Sequence, residues 1–322
     1  MLMDVSTIET GVATTEARGR ETRFSHLIST EATDIGLKRR HNEDCVLRMP
    51  EAGVFCVADG MGGARGGALA SRWTIDALEN AFRDRTDTHL TADRIQQAIN
   101  DASIRIKAMA DERCISGAGT TVVAMAFDNQ APDRALILHA GDSRAYRLRL
   151  GRLQLLTQDH SLAELAGVKH DRFLPQAFRG VITRCVGLEA CVPLETTQVS
   201  VAEGDLFVLC SDGVNKMVTD TDLEDVLNTC GGLALPLLAQ RIIDEANKAG
   251  GEDNSSVVLI KVGAGPGVPD ALKANKPKTG RVRVNHPETS TSVMPSTMSV
   301  CAKQAPKSVR ILVRKLLRLY RD

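Results

Sequence analysis

The sequence predicts one domain of mixed strands and helices carrying a polar tail at each end. Three observations support this. The 322 residues are 43% hydrophobic and 25% charged, an ordinary globular composition. Short β-type apolar runs are interspersed with segments whose apolar residues recur at helical spacing. Residues 1–24 and 264–307 show no such pattern and are polar, so they bury too little apolar area to fold alone. Collagen-like, membrane-embedded and wholly disordered chains are excluded by the same composition.

The first β-type runs lie near Ser25–Thr33 and Gly53–Ala58, separated by the polar stretch Lys38–Asp44. Helices follow over Ala68–Phe82 and Ala92–Ala110, the second with Ile95, Ala98, Ile99, Ala102 and Ile106 on one face. Runs at Thr120–Phe127, Ala135–His139, Ala145–Leu150 and Leu153–Thr157 suggest a meander, the last two joined across Gly151-Arg152 as in a hairpin. Asp159–Gly187 is irregular, with one short helix around Ser161–Ala166, and reads as a surface flap. Strand Leu206–Cys210, helices Asp220–Leu227 and Ala234–Lys248, and strand Ser255–Val262 complete a body over residues 25–263.

The net charge of zero hides an asymmetry. Six lysines and six arginines against three acidic residues give residues 264–322 a charge of +9, leaving −9 on the rest. A basic linker (264–307) leads to a basic amphipathic helix at 308–322, with Val309, Leu312, Val313, Leu316, Leu317 and Tyr320 on one face and Arg310, Arg314, Arg318 and Arg321 on the other. Such a tail suits a membrane surface, a partner protein or the chain's own acidic body. Nucleic acid is disfavoured, because only Tyr320 there could stack on a base. The N-terminus lacks the basic start and apolar core of a signal peptide. The expected location is therefore cytoplasmic, with a peripheral inner-membrane contact through the last helix as one option, and the eight cysteines are expected to be reduced thiols.

The chemistry is carried by strand-like runs that stop at an aspartate beside a glycine. Val54–Ala58 ends in Asp59-Gly60, Ala135–Ala140 in Gly141-Asp142 and Leu206–Ser211 in Asp212-Gly213, while Glu252-Asp253-Asn254 precedes the last strand. Each alone is an ordinary turn dipeptide. Together with Glu43 and Asp44 they form a set of hard oxygen ligands without histidine or thiolate, suited to Mg²⁺ or Mn²⁺. Gly60 leaves room for a backbone carbonyl to reach a metal. Paired carboxylates bridging two ions would generate a hydroxide nucleophile and polarise a phosphoryl oxygen, which points to phosphate-ester hydrolysis. Lys38-Arg39-Arg40 supplies cations for the phosphate, and an arginine can hold two of its oxygens at once.

In order, Gly36-Leu37-Lys38-Arg39-Arg40-His41-Asn42-Glu43-Asp44, Ala58-Asp59-Gly60-Met61-Gly62-Gly63, Gly119-Thr120-Thr121, His139-Ala140-Gly141-Asp142-Ser143-Arg144, Ile182-Thr183-Arg184, Cys210-Ser211-Asp212-Gly213 and Glu252-Asp253-Asn254 resemble the motifs of the type 2C (PPM) metal-dependent protein phosphatases in their compact bacterial form. The resemblance spans about residues 25–262. It implies an α+β fold, a four-layer α-β-β-α sandwich, and dephosphorylation of phosphoserine or phosphothreonine in proteins, opposing a bacterial Ser/Thr kinase. It also implies two Mn²⁺ or Mg²⁺ ions bridged by Asp59, with the Gly60 carbonyl as a further ligand. Asp212 and Asp253 would complete one ion's shell, Glu43 and Asp44 would shape the other's, and Arg39 would bind phosphate. Asp142 matches the aspartate of a third, weaker ion. Where animal members carry a histidine this chain has Met61, as bacterial relatives commonly do, and the acid that protonates the leaving group stays open among His41, His139 and His160. The alternative is a binding module that recognises phosphoproteins without hydrolysis. No Gly-Lys-Ser/Thr follows Gly60–Gly67, which argues against a nucleotide loop.

Overall fold

The structure is a computed structural model and describes residues 24, 26–63, 66–83, 92–115, 117–128, 130–168, 174–265 and 267–271. Eleven strands, six α-helices and a 3-10 helix at Gln176–Phe178 are present among them: β1 (Leu27–Asp34), β2 (Asp44–Met49), β3 (Val54–Met61), α1 (Gly66–Arg83), α2 (Ala92–Arg113), β4 (Gly119–Thr120), β5 (Val122–Phe127), β6 (Arg134–Ala140), β7 (Arg144–Arg149), β8 (Arg152–Leu155), α3 (Leu162–Leu165), β9 (Glu195–Ser200), β10 (Leu206–Cys210), α4 (Asp212–Asn215), α5 (Asp220–Thr229), α6 (Leu235–Lys248) and β11 (Ser255–Val262). The strands form two antiparallel sheets, one in the order β1-β11-β10-β7-β8 and the other β2-β3-β5-β6-β9, with β4 paired to β3.

Alternation along the central strands explains the layering. In β3, Val54, Cys56 and Ala58 face a core shared with α1 and α2, while Phe55 and Val57 face the space between the sheets. In β10, Phe207 and Leu209 face that same space, and Leu206, Val208 and Cys210 face α5 and α6. Both faces of these strands are buried, which is why they read as continuous apolar runs and not as half-polar ones. The result is the four-layer α-β-β-α sandwich. Phe55, Phe127 and Phe207 stitch the two sheets through edge-on ring contacts at 6.0 and 5.9 Å.

The expected meander is divided between the sheets. β5 and β6 pair in one and β7 and β8 in the other, so the chain changes sheet at Gly141-Asp142-Ser143. Asp142 thereby comes to lie between the layers. The hairpin turn places Leu150 and Gly151 at positive φ, 50° and 76°. The flap begins at Asp159, gripped by both arms of Arg144 at 2.9 and 2.8 Å, and Ser161 caps its short helix by accepting from the Glu164 amide.

The packed body exceeds the expected ends. Phe24 is buried between the sheets, and at the other end Asp270 bridges Glu203 while Ala271 is buried. The expected N-terminal segment through residue 23, and the linker and basic helix beyond residue 271, lie outside the described residues. The seven described cysteines are free, and no described helix is long and apolar enough to cross a membrane.

Candidate metal centre

The strand-end carboxylates meet at one rim of the sandwich. Asp44 opens β2 directly opposite Asp59 near the end of β3. Asp142 follows β6, Asp212 follows β10, and Asp253 stands two residues before β11. Ser211 joins the two sheets here, its hydroxyl donating to Asp44 Oδ2 at 2.7 Å. The charges of Asp44, Asp212 and Asp142 all bear on the Asp59 carboxyl. Arg39 donates to Asp253 Oδ2 at 2.6 Å with its side chain half exposed, so its guanidinium stands at the mouth of the cluster. Arg39, Glu43, Asp44, Asp59, Gly60, Asp142, Asp212 and Asp253 are thus all brought together.

Gly60 has a reason beyond access to its carbonyl. A Cβ there would collide with the Gly67 carbonyl and come within 2.6 Å of the Glu43 carbonyl. The Gly60 amide donates to that same Glu43 oxygen at 3.2 Å. The close approach of β3 to the start of α1 therefore excludes any side chain at this position.

Two residues that stood in the sequence motifs without an assigned role prove to be positioning residues. Asn254, 3% exposed, accepts from the Glu43 amide at 2.9 Å and donates to the carbonyls of Ile35 and His41 at 2.9 and 3.0 Å. One side chain thus ties the Arg39 loop to the end of the sheet. Asn254→Ala is expected to cost about 1–3 kcal/mol, the penalty for leaving buried groups unpaired, measurable as a lower urea midpoint. Thr121 fixes Asp59: its amide donates to the Asp59 carbonyl at 2.8 Å and its hydroxyl accepts from the Asp59 amide at 3.1 Å. The same hydroxyl bonds Ser143 at 2.7 Å, linking Asp59 to the turn that holds Asp142.

The electrostatics favour a bound cation. Burial, reinforced by the charges of Asp44, Asp212 and Asp142, pushes the Asp59 carboxyl well above the usual range. Burial also raises Asp44 to about 7, against the Ser211 and Ser256 hydrogen bonds, and Asp142 to about 6, against the charge of Lys216. Asp44 Oδ1, Asp142 Oδ1 and Asp212 Oδ1 are buried without a hydrogen-bond partner. Hard, unpartnered carboxylate oxygens crowded this closely fit Mg²⁺ or Mn²⁺.

A pH dependence follows. A carboxyl raised in the folded state stabilises the fold fully below its unfolded pKa and loses that contribution as pH rises through the folded value. Thermal melts of the chelated protein are expected to fall from about pH 4 to 7, across the values for Asp142 and Asp44. Saturating Mn²⁺ is expected to raise the melting temperature most at the upper end of that window.

His139, His160 and Glu195 form a second group whose ligand atoms lie within 4.8 Å of one another. The two rings stack at 4.6 Å with planes 7° apart. Their in-plane lone pairs run parallel and do not converge on a point, which is poor geometry for one ion. Both rings are tied locally: His139 Nε2 bonds the Gln158 carbonyl at 2.8 Å, while His160 Nδ1 accepts from the Gly141 amide at 3.2 Å and its Nε2 bonds Glu195 at 3.1 Å. Burial, with Arg184 and His139 nearby, lowers His160 to about 4.

A two-sheet sandwich with a carboxylate cluster at its rim and an arginine at the mouth is built for metal-assisted chemistry on phosphate esters. Comparison with known proteins agrees. The family Protein phosphatase 2C matches residues 39–239. The serine/threonine phosphatase stp of Listeria welshimeri is 34% identical over 247 residues, covering 71% of this chain and 93% of the relative. Among solved structures, PppA, a key regulatory component of T6SS in Pseudomonas aeruginosa, is 31% identical with a TM-score of 0.66, covering 74% of this chain and 99% of that one. The catalytic domain of the serine/threonine protein phosphatase PstP, solved in complex with two manganese ions, is 31% identical with a TM-score of 0.63 over 74% of this chain and 99% of that one. The chain belongs to the protein phosphatase 2C family, as a metal-dependent serine/threonine phosphoprotein phosphatase of the bacterial type.

Proposed function

We propose that this chain hydrolyses phosphoserine and phosphothreonine in proteins with two divalent cations, Mn²⁺ or Mg²⁺, held at the rim carboxylates. Asp59 would serve both ions, the Gly60 carbonyl, Asp212 and Asp253 would be further ligands, and Glu43 and Asp44 would shape the remaining shell. The observation that carries this reading is the crowding of Asp44 and Asp212 around Asp59, with Asp44 Oδ1 and Asp212 Oδ1 buried and without a hydrogen-bond partner. Bound ions would supply a nucleophile from water at neutral pH and draw electron density from the phosphoryl group. Arg39 orients the phosphate from the mouth of the cluster, its guanidinium exchanging Asp253 for phosphoryl oxygens. Asn254 and Thr121 hold the ligands in place. The physiological role is to reverse the action of a bacterial Ser/Thr kinase. Residues 272–322 localise or regulate the enzyme and contribute no catalytic group.

The test is phosphate release from a phosphothreonine peptide by the full chain with Mn²⁺, with Mg²⁺ and with chelator. Release that needs the metal and returns when it is restored is expected. A folded protein that binds the phosphopeptide without releasing phosphate would favour the non-hydrolytic binding module.

A further inference from the structure

Asp142, in the turn that crosses between the sheets, and Asp212, directly after β10, share one partner. Lys216, four residues after Asp212, places its Nζ against Asp212 Oδ2 and 3.3 Å from Asp142 Oδ2. The side chains of Asp142 and Asp212 are 6% and 12% exposed and that of Lys216 is 42% exposed, so the lysine reaches in from the surface to a buried acidic pair. It engages one oxygen of each carboxylate. The other two, Asp142 Oδ1 and Asp212 Oδ1, are buried and have no hydrogen-bond partner.

We propose that Lys216 is a tethered cation occupying the bridging position between Asp142 and Asp212, and that it keeps a divalent ion out of that pair. The inference rests on the reading of Asp212 as a metal ligand: Lys216 takes Oδ2 and leaves Oδ1 for the ion shared with Asp59. A covalently attached ammonium acts at a high effective concentration, far above that of free Mn²⁺ in solution. A divalent ion entering this pair has to displace the lysine and shed its own water as well. The third ion that the resemblance implied at Asp142 therefore meets an occupied position in this chain. Metal dependence here is set by the Asp59 cluster alone. An Asp and a Lys four residues apart look like an ordinary helix-surface pair in the sequence; only the crossing of the chain at Gly141 brings Asp142 to the same ammonium.

The probe is Mn²⁺ alone, counted by equilibrium dialysis on the full chain as wild type, Lys216→Ala and Lys216→Arg. Lys216→Ala is expected to bind one ion more than wild type, whatever the wild-type number. That extra ion should vanish in Lys216→Ala with Asp142→Asn, and Lys216→Arg should keep the wild-type number. In chelator, Lys216→Ala should melt below wild type, and Mn²⁺ should restore the difference. Equal ion counts in wild type and Lys216→Ala would overturn the proposal. So would a manganese ion bridging Asp142 and Asp212 in crystals of the wild type, a result that needs no variant to fold. Failure of the reading at Asp59 would appear separately, as a wild type that binds no Mn²⁺.

Discussion

Asp59→Asn is expected to lower phosphate release from a phosphothreonine peptide by about 10³-fold or more at saturating Mn²⁺, through kcat more than KM. Asp59 pairs with Asp44 in register and feels the charges of Asp212 and Asp142, where a single carboxylate can serve two cations. Replacing it with a neutral amide removes several kcal/mol of charge stabilisation, and each tenfold in rate corresponds to about 1.4 kcal/mol. Asn has nearly the same shape, so the backbone bonds from Thr121 survive. One member of a mutually repelling set is lost as well. The chelated variant should therefore melt no lower than chelated wild type near pH 8, while gaining less from Mn²⁺. Initial rates together with melts in both states separate a lost ligand from a damaged fold. Full activity in the variant would remove Asp59 from the chemistry.

Arg39→Ala should lower kcat/KM for the same peptide by about 10- to 100-fold. A charge-assisted hydrogen bond contributes roughly 1.5–3 kcal/mol, and the guanidinium can offer two in parallel. Arg39→Lys should recover only part of the loss, because an ammonium presents a point charge and no planar fork. The side chain is 50% exposed, so the melting temperature should change little in either variant. Equal kcat/KM for all three proteins would show that phosphate is held elsewhere.

Much of the candidate site was legible because its carboxylates end apolar strands. An apolar run buried on both faces marks β3 and β10, and the carboxylates stand where the run ends: Asp59-Gly60 in the last residues of β3 and Asp212-Gly213 at the start of α4 directly after β10. The last strand was bounded correctly at Ser255–Val262 for the same reason. The edge strands β1 and β8 of one sheet were legible, but β2 and β9 of the other were not. β9 exposes alternate residues and is mostly polar, while β2 is a short strand of six residues bounded by Asp44 and broken by the exposed Arg48, so neither offers a long apolar run. The crossing between sheets at Asp142 was hidden too, since periodicity reports which face of a strand is buried and not which sheet receives it. Asn254 and Thr121 stand inside motifs that the sequence offered, but their roles, like the reach of Lys216 to Asp142, depend on partners far away in sequence that no local pattern reveals.

The central claim is that the rim carboxylates bind divalent cations, and anomalous diffraction at the manganese edge from crystals grown with MnCl₂ tests it most directly. Two peaks are expected beside Asp59, one of them reached also by Asp212 and Asp253, with none at His139 and His160. An empty rim in a crystal soaked at saturating Mn²⁺, or a peak at the stacked histidines instead, would contradict it.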